Sequence, residues 1–226
     1  MNTPIRSAAN EAVNQPASRA ASRATALPLL MPLLLAMCAA TASHAGALTI
    51  HVVDGAGKPL ADAVALLEPA GAKAPVKPMA DVDISQSKRE FAPRVTLITV
   101  GTRANFPNFD TVRHHVYSFS PIKTFELKLY AGVPGVPVVF DKPGIAVLGC
   151  NIHDNMAAWV VVADTPWFAR SAASGNARIE ALPPGAYRLR LWHPGMSGLP
   201  EPTSVAFTMG PSDAEHSARL AVSGEP

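Results

Sequence analysis

The sequence contains very little cysteine. Only Cys38 and Cys150 occur among its 226 residues. Cys38 lies in an N-terminal segment with the pattern of an export signal, so Cys150 would be the only thiol of the exported chain, and a single thiol excludes an internal disulfide. An unpaired cysteine is a liability in an oxidising compartment unless it is buried or occupied. We therefore expect Cys150 to be buried, to bind a metal or to take part in chemistry.

The chain also lacks an excess of charge of either sign. It has 19 Lys and Arg against 17 Asp and Glu, which gives a formal net charge of +2 at pH 7. Three of these basic residues and one acidic residue belong to the N-terminal segment, so the rest of the chain is balanced. A balanced chain gives no reason to expect a nucleic acid or an anionic membrane surface as a partner.

No apolar run is long enough to cross a bilayer as a typical helix. Three arginines precede an apolar run over 26–40, and small residues follow it up to Ala45. Two prolines interrupt the run, which is shorter than the roughly 20 residues that a spanning helix needs. The pattern predicts a signal peptide over 1–45, a periplasmic protein, and no membrane span after cleavage. The prolines disfavour a retained anchor, and Met37 is too large to precede a lipidated Cys38.

Helical patterns are almost absent, and short apolar or alternating segments separated by Gly, Pro, Asn and Asp take their place. The segment 125–129 alternates, so Phe125, Leu127 and Leu129 are predicted to face a core. The segments 145–150 and 159–163 are apolar on both faces, which is typical of central strands. The sequence therefore predicts an all-β protein built as one β-sandwich or as two packed together.

The lone thiol belongs to a motif with the spacing Cys-x2-His-x2-Met. Cys150, His153 and Met156 follow one apolar segment and precede another, so they occupy a short loop. A thiolate, an imidazole and a thioether are donors that suit copper, and two histidines, a cysteine and a weak axial methionine form a blue-copper site. The second histidine must come from another strand, where His114 and His115 stand side by side.

A family resemblance rests on several of these residues taken in order: Phe91-Ala92-Pro93, Val100-Gly101-Thr102, Asn108, Asp110, the His-x-Val that begins at His114, and Gly149-Cys150 with His153 and Met156. The region 91–163 resembles cupredoxins of the plastocyanin and amicyanin group, including those of the methylamine-utilisation type. The resemblance implies a Greek-key β-sandwich with one type 1 copper per chain.

The resemblance also orders the ligands. It implies copper held by His114, Cys150, His153 and Met156, because the family's first histidine precedes an Asn and then a Val. His115 stands in the place of that Asn. Adjacent residues of a strand point to opposite faces, so only one of the two neighbouring histidines can reach the metal. His115 stays open as the alternative.

The flanks of this region have a resemblance of their own. The run that begins at Gly57-Lys58-Pro59 and the one that begins at Gly175 resemble two halves of a carboxypeptidase-regulatory or prealbumin-like sandwich. We predict an accessory hairpin over 46–72, a copper domain over 73–163, and the rest of the accessory sandwich over 164–226. The alternative is a single cupredoxin with extended ends.

The function implied by the resemblance is electron transfer without catalysis. His153 would bring a ring edge to an apolar surface, where a redox partner such as a c-type cytochrome or a periplasmic dehydrogenase would dock. A multicopper enzyme is disfavoured because no His-x-His pair is present to build a second centre. Two alternatives use the same residues: a periplasmic copper carrier or sensor, and a cupredoxin-fold binding module without redox cycling, for which zinc is an acceptable metal.

Overall fold

The computed structural model describes residues 45–153, 155–196 and 202–222, and this part of the chain is all-β. No helix occurs within those ranges, so none there is long and apolar enough to cross a membrane. The predicted signal peptide lies almost entirely outside the described residues. The strands, in chain order, are β1 (Gly46–Val53), β2 (Val64–Pro69), β3 (Val82–Asp83), β4 (Ser85–Ser87), β5 (Glu90–Ala92), β6 (Val95–Thr99), β7 (Thr102–Asn105), β8 (His114–Ser120), β9 (Lys123–Tyr130), β10 (Val138–Phe140), β11 (Gly144–Gly149), β12 (Ala157–Ala163), β13 (Trp167–Arg170), β14 (Asn176–Leu182), β15 (Gly185–Trp192), β16 (Thr203–Met209) and β17 (Ala214–Arg219).

One sandwich is built from the middle of the chain. A five-stranded sheet with the order β6-β12-β11-β8-β9 and a three-stranded sheet with the order β10-β7-β3 contribute side chains to a common core. The short hairpin of β4 and β5 adds Phe91 to it. The strands β11 and β12 lie inside the larger sheet, as their uniformly apolar sequences predict.

A bulge changes the inward pattern at one edge of this sheet. Strand β9 pairs with β8 so that His114 faces Tyr130 and Val116 faces Leu127, which leaves one more residue on β9 than on β8. Beyond the bulge, alternation therefore shifts by one position. The prediction that Leu129 faces the core is wrong, because Leu129 turns to solvent and Tyr130 packs inward instead. Phe125 and Leu127 pack against the core as expected.

The flanking segments form a second sandwich. Strand β1 pairs with β14 and β17 in a three-stranded sheet, and β2 lies in a four-stranded sheet with the order β13-β2-β15-β16. The two sheets share a core that includes Leu48, Leu67 and Leu189. The hairpin predicted over 46–72 is wrong, because β1 and β2 lie in opposite sheets. Each strand sends alternate apolar side chains into the core between the sheets and takes its partners from the C-terminal third of the chain.

The two sandwiches pack together through one sheet of each. Strand β2 sends Ala65 and Leu67 into its own core, while Val64 and Leu66 join a third apolar cluster. The strand β12 of the other sandwich contributes to the same third cluster, together with Trp192 at the end of β15. Strands β2 and β12 are therefore covered on two faces, which explains why they read as continuous apolar runs. The predicted boundaries at residues 72 and 163 stay a prediction.

Candidate metal centre

The predicted site residues lie at one end of the five-stranded sheet. Cys150 directly follows β11, and Met156 directly precedes β12. The antiparallel pair of Gly149 and Ala157 closes the loop between them, and the Met156 N–H donates to the carbonyl of His153 at 3.0 Å. Strand β8 lies beside β11, with Tyr117 opposite Gly149. The first residue of β8, His114, therefore reaches the same end of the sheet.

Three of the predicted residues form a compact group of donor atoms. One ligand atom each from His114, Cys150 and His153 lies within 4.8 Å of the others. The Cys150 Sγ is 3.8 Å from His114 Nδ1, and the two imidazole centroids are 5.1 Å apart. Donor atoms bound to one ion at 2.0–2.3 Å in a tetrahedral or trigonal arrangement lie about 3.3–3.9 Å from each other. The Cys150 and His114 donors already have this spacing, and binding a metal requires the most distant pair of the group to approach by about 1 Å.

The burial of the group favours a bound ion. His114 is 0% and Cys150 4% exposed, while His153 is partly exposed. The His153 Nδ1 atom is itself buried and has no hydrogen-bond partner among the described residues. A buried polar atom without a partner costs about 1–3 kcal/mol, and a metal ion supplies that partner. The residues present therefore fit a metal.

The second nitrogen of His114 has a defined partner that sequence reasoning did not assign. His114 Nε2 lies 2.8 Å from Asp110 Oδ2. The backbone N–H of Arg89 holds the pKa of Asp110 below its usual value, burial opposes this shift, and His114 assists it. Asp110 is thus an anion that accepts hydrogen bonds. Asp110 lies four residues before His114 in the sequence, and this spacing was the only sign of a contact between them. The spacing alone does not predict the contact, because Asp110 lies in a loop.

His115 does not belong to the group of donor atoms. It is buried on the other side of β8, where its Nε2 lies 2.9 Å from Glu126 Oε1 without the alignment of a hydrogen bond. Its ring lies beside Tyr117, with centroids 5.5 Å apart. The opposite orientations of the two histidines follow from their being neighbours on one strand. Only His114 therefore faces Cys150.

Met156 is buried in the same core as Cys150. It is 2% exposed and belongs to the cluster between the two sheets of the first sandwich. Met156 and Cys150 also line one shallow pocket together with Tyr117 and Gly149. The residue is therefore placed beside the thiol, while its role as an axial ligand stays a prediction.

A hydrogen-bonded cluster lies behind the site. The Tyr130 hydroxyl donates to the carbonyl of Phe106 at 2.7 Å and contacts the Gln86 amide. Burial raises the pKa of Tyr130 to about 12. The phenol is therefore neutral and available as a donor, which ties β9 to the end of β7 next to the candidate site.

The loops around the site expose apolar side chains. Phe109, Val112, Val133 and Ile152 are all exposed, and Phe109 is 70% accessible. Ile152 belongs to the loop of Cys150 and His153, and Phe109 and Val112 belong to the loop before His114. The partly exposed ligand candidate His153 directly follows the exposed Ile152 in its loop, and a docking surface around it stays a prediction.

Comparison with known proteins leaves the family open. No family model matches the chain, and no match is found among curated proteins. Among solved structures, a purple cupredoxin from Nitrosopumilus maritimus is 22% identical over 38% of this chain and 100% of its own, with a TM-score of 0.33. The amicyanin of Paracoccus versutus is 18% identical over 38% of this chain and 92% of its own, with a TM-score of 0.31. The copper-containing nitrite reductase of Thermus scotoductus is 26% identical over 50% of this chain but only 28% of its own, with a TM-score of 0.35. TM-scores at this level do not define a family.

Proposed function

We propose that this protein binds one copper ion and transfers single electrons in the manner of a blue-copper protein. The observation that supports this proposal most is the convergence of His114, Cys150 and His153, whose donor atoms lie within 4.8 Å of one another. The set of two imidazoles and one thiolate, with Met156 buried nearby, has the chemistry that type 1 copper prefers.

Copper is favoured over zinc by the methionine and by the number of strong donors. A structural zinc site closes with four strong nitrogen, sulfur or oxygen donors, whereas only three such donors converge within the described residues. A thioether is a weak donor that suits copper as an axial ligand. Zinc binding stays the competing hypothesis, and the colour of the metal-loaded protein separates the two metals.

The surrounding strands favour electron transfer over metal delivery. When bound, copper supplies a centre that cycles between one and two positive charges. The chain's own part is to hold the donors still: Cys150 and Met156 are each next to a strand in the middle of a sheet, and His114 opens another. Donors that are buried beside packed strands, as His114, Cys150 and Met156 are, resist rearrangement. A copper carrier or sensor would instead need accessible ligands.

The partner and the compartment follow as parts of the same proposal. A redox partner such as a c-type cytochrome or a periplasmic dehydrogenase would dock on the exposed apolar side chains around His153. Small apolar interfaces are typical of transient redox encounters. The predicted signal peptide supports a periplasmic location. Absence of catalysis by this chain alone is likewise part of the proposal.

Voltammetry of the copper-loaded protein tests the function directly. We expect one reversible one-electron wave and the same copper content after many cycles. A Ser substitution of the thiol, Cys150→Ser, serves as the matched control and abolishes the wave. Loss of copper during cycling, or transfer of copper to an acceptor on mixing, would establish a carrier. A chain that takes up zinc but no copper would contradict the proposal.

A further inference from the structure

We propose that Asp110 is a positioning residue that fixes the tautomer of His114, so that His114 Nδ1 presents its lone pair to the metal. This inference rests on the proposed copper site and deepens it. The hydrogen bond between Asp110 Oδ2 and His114 Nε2, at 2.8 Å, carries the proposal.

The acceptor character of the carboxylate determines the tautomer. Both carboxylate oxygens of Asp110 already accept backbone N–H groups, Oδ1 from Lys88 and Oδ2 from Arg89. The carboxylate therefore acts as an acceptor, and His114 Nε2 carries the proton of this hydrogen bond. In a neutral imidazole the other nitrogen then has the free lone pair. That nitrogen, Nδ1, lies on the side of the Cys150 thiol at 3.8 Å. His114 is therefore ready to bind a metal through Nδ1 without a change of tautomer or ring orientation.

Asp110 is itself held by a turn that is shaped around it. The backbone N–H of Lys88 donates to Asp110 Oδ1 at 2.7 Å, and that of Arg89 donates to Oδ2 at 2.9 Å. Both residues have left-handed backbone conformations, with φ of 56° and 62°. Successive N–H groups of such a turn converge on an anion. The two hydrogen bonds from the turn therefore hold the Asp110 carboxylate in one orientation.

The loop that carries Asp110 is held by hydrogen bonds to the buried side chain of Asn108. The Asp110 N–H donates to Asn108 Oδ1 at 2.9 Å. The amide of Asn108, a buried residue, donates in turn to the carbonyls of Val112 and Tyr130 at 2.9 and 3.0 Å. The carboxylate, the loop and the histidine thus form one hydrogen-bonded unit that extends to the cluster behind the site.

Two consequences for a bound metal follow from this unit. A fixed imidazole avoids the loss of side-chain freedom on binding, and a carboxylate partner makes the imidazole more basic. Both effects strengthen the site, and the second favours the more highly charged copper ion and therefore lowers the reduction potential. Loss of such a partner typically weakens metal binding by roughly 10–100-fold.

The first test measures the tautomer of His114 and needs no substitution. In the metal-free wild-type protein, two-bond hydrogen–nitrogen correlation spectra report which imidazole nitrogen of His114 carries the proton. We expect the proton on Nε2. A proton on Nδ1, or a mixture of both tautomers, would overturn the proposal whether or not the protein binds copper.

The isosteric variant Asp110→Asn then tests the effect on the metal. Its amide has one acceptor oxygen in place of two, so it cannot accept from both backbone N–H groups and from His114 as the carboxylate does. We expect roughly 10–100-fold weaker copper binding in competition with a chelator, a mixed His114 tautomer, and a higher reduction potential with the visible copper band retained. The control Asp213→Asn removes a carboxylate that likewise accepts a backbone N–H, from Ala47, but in the second sandwich.

The outcomes separate this inference from the proposed function. If the wild-type protein shows the visible copper band and Asp110→Asn matches wild type in copper affinity and potential, the positioning role is wrong while the copper site stands. If the wild-type protein shows no such band, the proposed function fails. Should Asp110→Asn not fold, the tautomer of the wild-type protein decides.

Discussion

A single peptide bond separates two histidines with different surroundings. His114 faces Cys150 and donates towards Asp110, whereas His115 lies near Glu126 on the other side of the strand. Residue type alone gives both the same capacity to bind a metal. The difference comes from the alternation of side chains along β8. Substituting each histidine in turn therefore shows which of the two binds the metal.

The first prediction concerns these two histidines. We expect His114→Ala to remove one of three strong donors, with loss of the visible copper band and at least a tenfold loss of copper affinity, since even a partner of a ligand contributes that much. We expect His115→Ala to keep the band. Absorption spectra of the two copper-loaded variants, measured in parallel, check this. A band that survives in His114→Ala and disappears in His115→Ala would reverse the assignment.

The second prediction concerns Tyr130, whose pKa is raised to about 12 by burial. Below the usual pKa of 10.0 the buried phenol contributes constant stability. As the pH rises from about 10 to about 12, the unfolded chain loses this proton before the folded one does, so that stability is lost. Alkaline titration of phenolate absorbance should show one of the three tyrosines titrating near 12, and Tyr130→Phe should remove that step. Titration of all three tyrosines near 10 would contradict the burial of Tyr130.

At the scale of elements, turns and bulges determine which side chains face the core where the alternation of apolar residues does not. The pattern of 125–129 predicts three inward side chains, and the bulge between β8 and β9 moves Leu129 outward. A bulge leaves little trace in the sequence because it adds one residue to a strand without a required residue type. The loop of Cys150 and His153 was predictable because its spacing and donor types are specific.

The third prediction concerns the turn between β13 and β14. Gly175 has a φ of 79°, and a Cβ there would lie 2.5 Å from the carbonyl oxygen of Val52. Gly175→Ala therefore places a side chain in a left-handed backbone conformation and also creates a steric clash with the backbone of Val52. We expect the two effects together to lower the free energy of unfolding by about 2–4 kcal/mol. Urea denaturation measures this change.

The matched control for this substitution is Gly71→Ala. A Cβ at Gly71 would meet nothing within 4 Å, so this variant should unfold with a free energy within about 0.5 kcal/mol of wild type. Equal stability of the two variants would show that Gly175 does not adopt the left-handed turn.

At the scale of the whole molecule, pairing between distant strands joins the first described strand to strands near the C-terminus of the described residues. Strand β1 lies between β14 and β17, which come from the C-terminal third of the sequence. Local pattern predicts a hairpin for β1 and β2 because a turn separates two apolar segments. It cannot predict partners that lie more than 100 residues away, although the strands themselves and the all-β class are evident from the sequence.

The fourth prediction concerns the contact between the two sandwiches. Trp192 is buried in the cluster that joins them, near Trp159 of β12, with ring centroids 6.5 Å apart. We expect Trp192→Ala to lower the free energy of unfolding by about 3–5 kcal/mol and to leave the copper band of the folded protein unchanged, because the donors belong to another core. Val205→Ala, an exposed change on the neighbouring strand β16, should cost within about 0.5 kcal/mol. Equal costs would show that the contact does not stabilise the molecule.

The visible absorption of the copper-loaded protein tests the central claim most directly. If His114, Cys150 and His153 hold copper together, the wild-type protein shows an intense thiolate-to-copper band, and Cys150→Ser, loaded under the same conditions, shows none. A colourless wild-type protein that contains stoichiometric copper would contradict the account, and so would a band of equal intensity in Cys150→Ser.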